Sequence, residues 1–169
     1  MPKTNNESEL VKKLTNKRYT ITTAESCTGG LLSATLVNVS GASEVINCAF
    51  VTYANEAKEK FAGVQHETLL AHGAVSEETA AEMCRGCACL AQADMGLSTT
   101  GIAGPGGGTP DKPVGLVYIG CCLHDDVVVE RHIFSGDRLQ VRNQAVEAAL
   151  DLAIPVSYTH LTLPTILLV

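Results

Sequence analysis

The sequence predicts an α/β fold, a single sheet with helices on both faces, and three observations carry that prediction. Apolar, β-branched segments alternate with segments of helical periodicity along most of the 169 residues. Two strand-like segments, 114–122 and 127–134, are separated only by the short polar stretch His124-Asp125-Asp126, which makes them an antiparallel hairpin in a mixed sheet. A hydrophobic fraction of 46% against 18% charged residues excludes disorder, and the length suits one domain.

Each element has a local reason. Leu10, Val11 and Leu14 recur at helical spacing in a polar stretch and predict a first amphipathic helix. Residues 19–23 are β-branched and predict a strand. Leu31, Leu32, Ala34 and Leu36 suit a helix starting near Cys27. The run VINCAFVTY (45–53) is continuously apolar and predicts a buried strand. Residues 55–61 read as a short helix and 68–72 as another turn of helix. Ser76 followed by Glu77 and Glu78 is a capped helix start, with acids at the positive end of the dipole, and that helix runs to about Gln92. Residues 95–100 predict a strand ending in the Gly- and Pro-rich loop 101–113. After the hairpin, Ser135-Gly136-Asp137 opens a final helix to about Ala153, which Pro155 stops.

Composition narrows the function. Twelve Lys and Arg against eighteen Asp and Glu give a net charge of −6, so no nucleic acid is expected as the main partner. No apolar run reaches the ~18 residues of a membrane span, and the polar start is not a secretory signal, so no membrane partner and a cytoplasmic location are expected. Seven cysteines, an odd number, fit a reduced compartment. Cys84, Cys87 and Cys89 lack the second ligand pair that zinc wants, and the adjacent Cys121 and Cys122 would point to opposite faces of a strand. They read as small buried thiols, with no metal and no cofactor expected.

Residues 156–169 (VSYTHLTLPTILLV) contain no charged side chain and resemble a translated read-through tail. The expected organisation is therefore a domain over 1–155 and a non-native tail over 156–169. The alternative is a terminal strand on a sheet edge.

Four places can carry chemistry. In layered α/β folds ligands bind beyond the carboxyl ends of strands. The loop Ala24-Glu25-Ser26-Cys27-Thr28-Gly29-Gly30 joins a strand to a helix N-terminus, where backbone N–H groups stabilise an oxyanion and Ser26 attacks a carbonyl; alternatively, Ser26 or Thr28 is only the helix cap. In TYANEAK (52–58), Lys58 is either a desolvated base helped by Tyr53 or a side chain on a solvated helix face. The stretch STTGIAGPGGG (98–108) is either an anion-binding nest or a flexible connector, and it is not a Walker loop. Arg138 and Arg142, four apart on one helix face, form either a phosphate clamp or salt bridges to acids such as Glu147.

Taken together, TTAESCTGG (22–30), FVTYANEAKEKFAGV (50–64), HGAVSEETA (72–80), STTGIAGPGGG (98–108), KPVGLVYIG (112–120) and FSGDR (134–138) resemble the CinA carboxy-terminal domain family, the nicotinamide-nucleotide amidases. The likeness runs in order over roughly residues 8–153. It is to the stand-alone form, without the molybdopterin-binding-type domain of the larger members. The resemblance implies a three-layer α/β/α sandwich with a mixed, mostly parallel sheet carrying the antiparallel hairpin. It implies deamidation of nicotinamide mononucleotide to nicotinic acid mononucleotide and ammonia, without a metal. It also implies Ser26 as nucleophile with Tyr53 and Lys58 as its partners, and a homodimer. Substrate contacts are expected from Thr28, Gly29, Gly30, Thr100, Gly101, Arg138 and Arg142. The alternative function is a non-catalytic nucleotide-binding or competence-associated interaction protein on the same fold.

Overall fold

A computed structural model of the chain describes residues 5–158. Its elements are α1 (Asn6–Lys17), β1 (Ile21–Glu25), α2 (Leu31–Val37), β2 (Phe50–Val51), α3 (Asn55–Ala62), α4 (His66–His72), α5 (Glu77–Ala91), β3 (Met95–Gly101), β4 (Leu116–Leu123), β5 (Asp126–Ile133) and α6 (Arg138–Val156). The five strands form one sheet in the order β2-β1-β3-β4-β5. β1 is parallel to β2 and β3, while β3–β4 and β4–β5 are antiparallel. Four of the five strands therefore run the same way, and the predicted hairpin is β4–β5.

Helices cover both faces, giving the three layers. Odd-numbered residues of β3, Met95 and Leu97, join Ile21, Ile119 and Cys121 beneath α1, α2 and α6, which contribute Leu10, Leu14, Leu32, Leu36, Val141, Ala145 and Ala149. The opposite face meets α5, with α3 and α4 packed against it: Ala24, Ala62, Val64, Leu69, Met83 and Cys87 form one cluster there, and Cys84, Ala88 and Cys122 another. Cys121 and Cys122 thus fall on opposite faces, as strand alternation requires. Cys89 is exposed and all seven thiols are free.

α5 lies unusually close to its neighbours because glycine stands at three contact points. A methyl group at Gly86 would come within 1.8 Å of the Ala62 carbonyl oxygen, at Gly96 within 2.1 Å of the Cys84 oxygen, and at Gly120 within 2.6 Å of the Ala80 oxygen. Dispersion contacts along this seam are available only to hydrogen-sized groups.

Three expectations are corrected. The apolar run 45–53 is not a long buried strand. Ile46 makes one bridge to Ile21, only Phe50–Val51 is regular, and Val51 is 54% exposed. β2 lies at the sheet edge, so apolar composition there does not mean two covered faces. The second helix starts at Leu31 rather than near Cys27, because Gly29 and Gly30 take positive φ and make a turn first. Pro155 does not stop α6, which continues to Val156; a proline in the last turn removes only one intrahelical bond.

The residues at the start of the supposed tail pack into the fold. Val156 and Ser157 are buried, Lys17 donates to the Ser157 carbonyl, and Lys13 bonds the Tyr158 hydroxyl. The rest of that segment, 159–169, lies outside the described residues. Among the described residues no helix is long and apolar enough to cross a membrane.

Candidate active site

The parallel strands β2, β1 and β3 deliver their carboxyl ends to one rim of the sheet, where the chain turns into the loops singled out above. A cavity of about 270 Å³ opens there, lined by Ser26, Cys27, Tyr53, Asn55, Lys58, Ala74, Val75, Arg138 and loop residues Thr100 to Gly104, Gly106 and Gly107. A larger hollow of about 770 Å³ between α1, α2 and α6 holds Glu7, Glu147 and Asp151 but no nucleophile beside a base.

Ser26 is the first residue past β1 and is 9% exposed; its N–H donates to the Thr99 carbonyl on β3 at 2.9 Å. Lys58 reaches it from the second turn of α3. The Lys58 amine is 3.1 Å from Ser26 Oγ, 2.9 Å from the Thr52 carbonyl and 3.2 Å from the Tyr53 carbonyl, and the residue is 1% exposed. A solvated helix face is thereby excluded for Lys58. Burial lowers its pKa from the ordinary 10.5, the nearby Cys27 opposing weakly. Among the described residues no carboxylate stands at ion-pair distance from it. A neutral amine has two hydrogens and one lone pair. The ammonium form donates to all three oxygens; once deprotonated, the amine would keep its two hydrogens on the carbonyls and turn its lone pair to the Ser26 hydroxyl.

Cys27, next to Ser26, is no rival nucleophile. Burial, with a smaller contribution from Glu25, pushes its thiol up to about 11, so the thiolate is scarce at neutral pH.

The cap of α2 comes from neither Ser26 nor Thr28. It is Glu25, a residue to which sequence reasoning gave no role. Its buried carboxylate accepts from the N–H groups of Gly30, Leu32 and Ser33 at 2.8–3.0 Å and from the hydroxyls of Thr23 and Thr28 at 3.2 and 2.7 Å. The only sequence signal is an acid just before a Gly-Gly helix start. Thr28, having given its proton to Glu25, accepts from the Thr99 hydroxyl at 2.7 Å. Thr28, Gly29 and Gly30 therefore stand outside the cavity lining: the Gly30 N–H goes to Glu25 and the Gly29 N–H to the Ser26 carbonyl. The N–H groups of Cys27 and Thr28 are taken neither by Glu25 nor by a carbonyl among the described residues. Of these two residues only Cys27 lines the cavity.

The remaining residues divide. Tyr53 holds Lys58 through its main-chain carbonyl, not its phenol. The hydroxyl accepts instead from Arg138 at 2.9 Å, with the side chain 59% exposed. Arg138 also donates to the Gly104 carbonyl at 2.7 Å. Arg142 does not join it in a clamp. It donates to the carbonyls of Cys27 and Thr28 at 3.0 and 2.7 Å and braces the nucleophile loop from outside the cavity. Thr100 donates to the Ala74 carbonyl at 2.6 Å, and Gly101 is hemmed in by the Leu116 carbonyl; both line the cavity wall. Asn55, at the start of α3, lines the cavity too, although only its place in the motif distinguished it. Among the described residues no group of three or more His, Cys, Asp or Glu is placed to hold a metal ion.

The CinA C-terminal domain family matches residues 3–156. A relative in Clostridium acetobutylicum, with a competence-damage inducible designation, is 54% identical over 145 residues, 86% of this chain and 35% of the relative. A CinA-like protein of Kosmotoga olearia is 52% identical over 145 residues, with the same coverage of 86% and 35%. The chain thus spans about a third of the length of these curated relatives. Among solved structures, the competence/damage inducible protein CihA of Agrobacterium tumefaciens superposes with a TM-score of 0.86 at 37% identity, over 90% of this chain and 96% of that one. A CinA superfamily protein of Klebsiella pneumoniae gives 0.87 at 33%, over 92% and 98%.

Proposed function

The chain belongs to the CinA family, and from that premise we propose that it is an amidohydrolase that converts nicotinamide mononucleotide and water to nicotinic acid mononucleotide and ammonia. The observation that carries this reading is the 3.1 Å contact between a buried, carboxylate-free Lys58 amine and Ser26 Oγ. An amide needs a nucleophile, a base to take its proton, and donors for the oxyanion.

The steps follow from these groups. Lys58 takes the Ser26 proton while Oγ bonds to the carboxamide carbon. The carbonyl oxygen becomes an oxyanion facing the Cys27 N–H, the one N–H of 27–30 that belongs to a cavity-lining residue. Lys58 then returns the proton to the departing nitrogen, the C–N bond breaks and ammonia leaves an ester on Ser26. Water attacks this ester with Lys58 again as base, and the C–Oγ bond breaks to release the acid. Arg138, a cavity-lining guanidinium without a carboxylate partner among the described residues, would take the phosphate. An acidic protein meets a mononucleotide with such a local cation rather than with a broad basic surface.

Ser26→Ala tests the reading directly. Ammonia release from nicotinamide mononucleotide should fall about 10⁴-fold or more, with an unchanged circular dichroism spectrum. Near-normal turnover in that variant would sink the mechanism. The relatives' designations name competence and damage, to which a second reading, a non-catalytic interaction protein on the same fold, would attach. Absence of ammonia release by the unaltered protein would select it.

A further inference from the structure

Arg138 does more than face the cavity: it ties two of its walls together. One terminal nitrogen donates to the hydroxyl of Tyr53, in the segment that also gives Lys58 its carbonyl partners, and the other to Gly104, in the glycine loop after β3. These are neutral oxygens, and two bonds use only two of the five donors of a guanidinium. At the start of α6 the Asp137 side chain accepts from the Gln140 N–H, and the Gln140 side chain closes the capping box on the Asp137 N–H. Beyond the buried Lys58, Arg138 is the cation that lines the cavity among the described residues, so an anion arriving at this rim meets its side chain.

We propose that Arg138 is a positioning residue through which a phosphate-type dianion activates the site, in addition to any affinity it provides. This rests on the amidase reading above. The dianion takes the free donors of the guanidinium, while the occupied donors hold Tyr53 and the glycine loop in place around the reacting carboxamide. A charge-assisted bond fixes the guanidinium more firmly than its neutral partners do, so both walls become more ordered when the dianion is present. The consequence is that phosphate on the substrate raises kcat as well as lowering KM. A dianion supplied separately from a phosphate-free substrate would do the same.

The test uses the purified full chain, nicotinamide riboside as truncated substrate, and inorganic phosphite as the separate dianion. Phosphite should accelerate ammonia release from the riboside about ten- to a hundredfold, the range that one or two charge-assisted bonds transmit. Arg138→Ala should abolish that acceleration, and added guanidinium ion should restore part of it. Hydrogen exchange of segments 52–55 and 102–108 should slow on phosphite addition in the unaltered protein and not in Arg138→Ala. Inhibition of mononucleotide turnover by phosphite with no riboside activation would overturn the proposal while leaving the amidase reading intact. Unchanged exchange in both segments would overturn it whether or not the protein is active. Absence of mononucleotide turnover by the unaltered protein would remove the amidase reading, and the activation with it.

Discussion

Two buried ionisable side chains flank Ser26, and they are treated in opposite ways. Glu25 is wholly buried yet surrounded by three backbone N–H groups and two hydroxyls, so its charge is solvated by fixed dipoles at a helix N-terminus. Lys58 is almost as deeply buried but meets two carbonyls and one hydroxyl, with no carboxylate at ion-pair distance among the described residues. The first arrangement surrounds a carboxylate with donors and makes a structural cap. The second disfavours the ion, as the proposed base requires. Burial alone therefore says little about a charged residue's role; the sign and number of the dipoles around it decide.

The sharpest way to break this contrast is Lys58→Met, which keeps the bulk and removes the lone pair. Ammonia release at neutral pH should drop about 10²- to 10⁴-fold, the usual worth of a positioned base. The pH profile carries the same information. In the unaltered protein, activity should fall as pH drops through the lowered Lys58 value, because protonation consumes the base. Stability should move the same way. Between the lowered folded value and the ordinary 10.5, the unfolded chain binds the extra proton, so unfolding free energy rises with pH across that window. Denaturant titrations of Lys58→Met should lack this component of the slope; an unchanged slope would mean that Lys58 stays charged.

Glu25→Gln probes the other side. One carboxylate oxygen becomes an NH₂ group facing backbone donors, so a loss of about 2–4 kcal/mol is expected in chemical denaturation. A loss below about 0.5 kcal/mol would show that the cap is dispensable. The smallest effect belongs to Thr52, whose carbonyl serves Lys58 but whose buried hydroxyl has no hydrogen-bond partner among the described residues. Thr52→Val keeps the shape and removes the orphan, and should be neutral or stabilising by up to about 1 kcal/mol in thermal melts. A clear destabilisation would reveal a partner for that hydroxyl.

The same contrast explains what could be read from the sequence. The Ser76 cap of α5 was legible because it is local: its side chain accepts from the Thr79 N–H, three residues on. The hairpin was legible for the same reason. Ser26 and Lys58 were legible as members of motifs, although their separation in sequence hid the contact between them. Tyr53 is legible from its motif, but the atom through which it holds Lys58 is not, because that atom is a main-chain carbonyl, which any residue supplies. Glu25 was passed over because its partners are mostly backbone N–H groups that only the turn at Gly29-Gly30 brings together. Arg138 and Arg142 share a helix face, but what each one meets depends on loops from three other parts of the chain. The run 45–53 misled because hydrophobicity records composition, whereas burial depends on which strand ends up at the edge.

The glycine seam under α5 has a reach beyond packing. Lys58 and Ala62 lie one helical turn apart on α3, and Ala62 rests its carbonyl oxygen against Gly86. How deep α3 sits, and so how close the amine comes to Ser26, is set at a point that touches neither of them. A drifting lineage could keep every residue of the cavity and still lose its chemistry to one added methyl at this seam. Mutational tolerance here is governed by where bulk is forbidden as much as by where function is held.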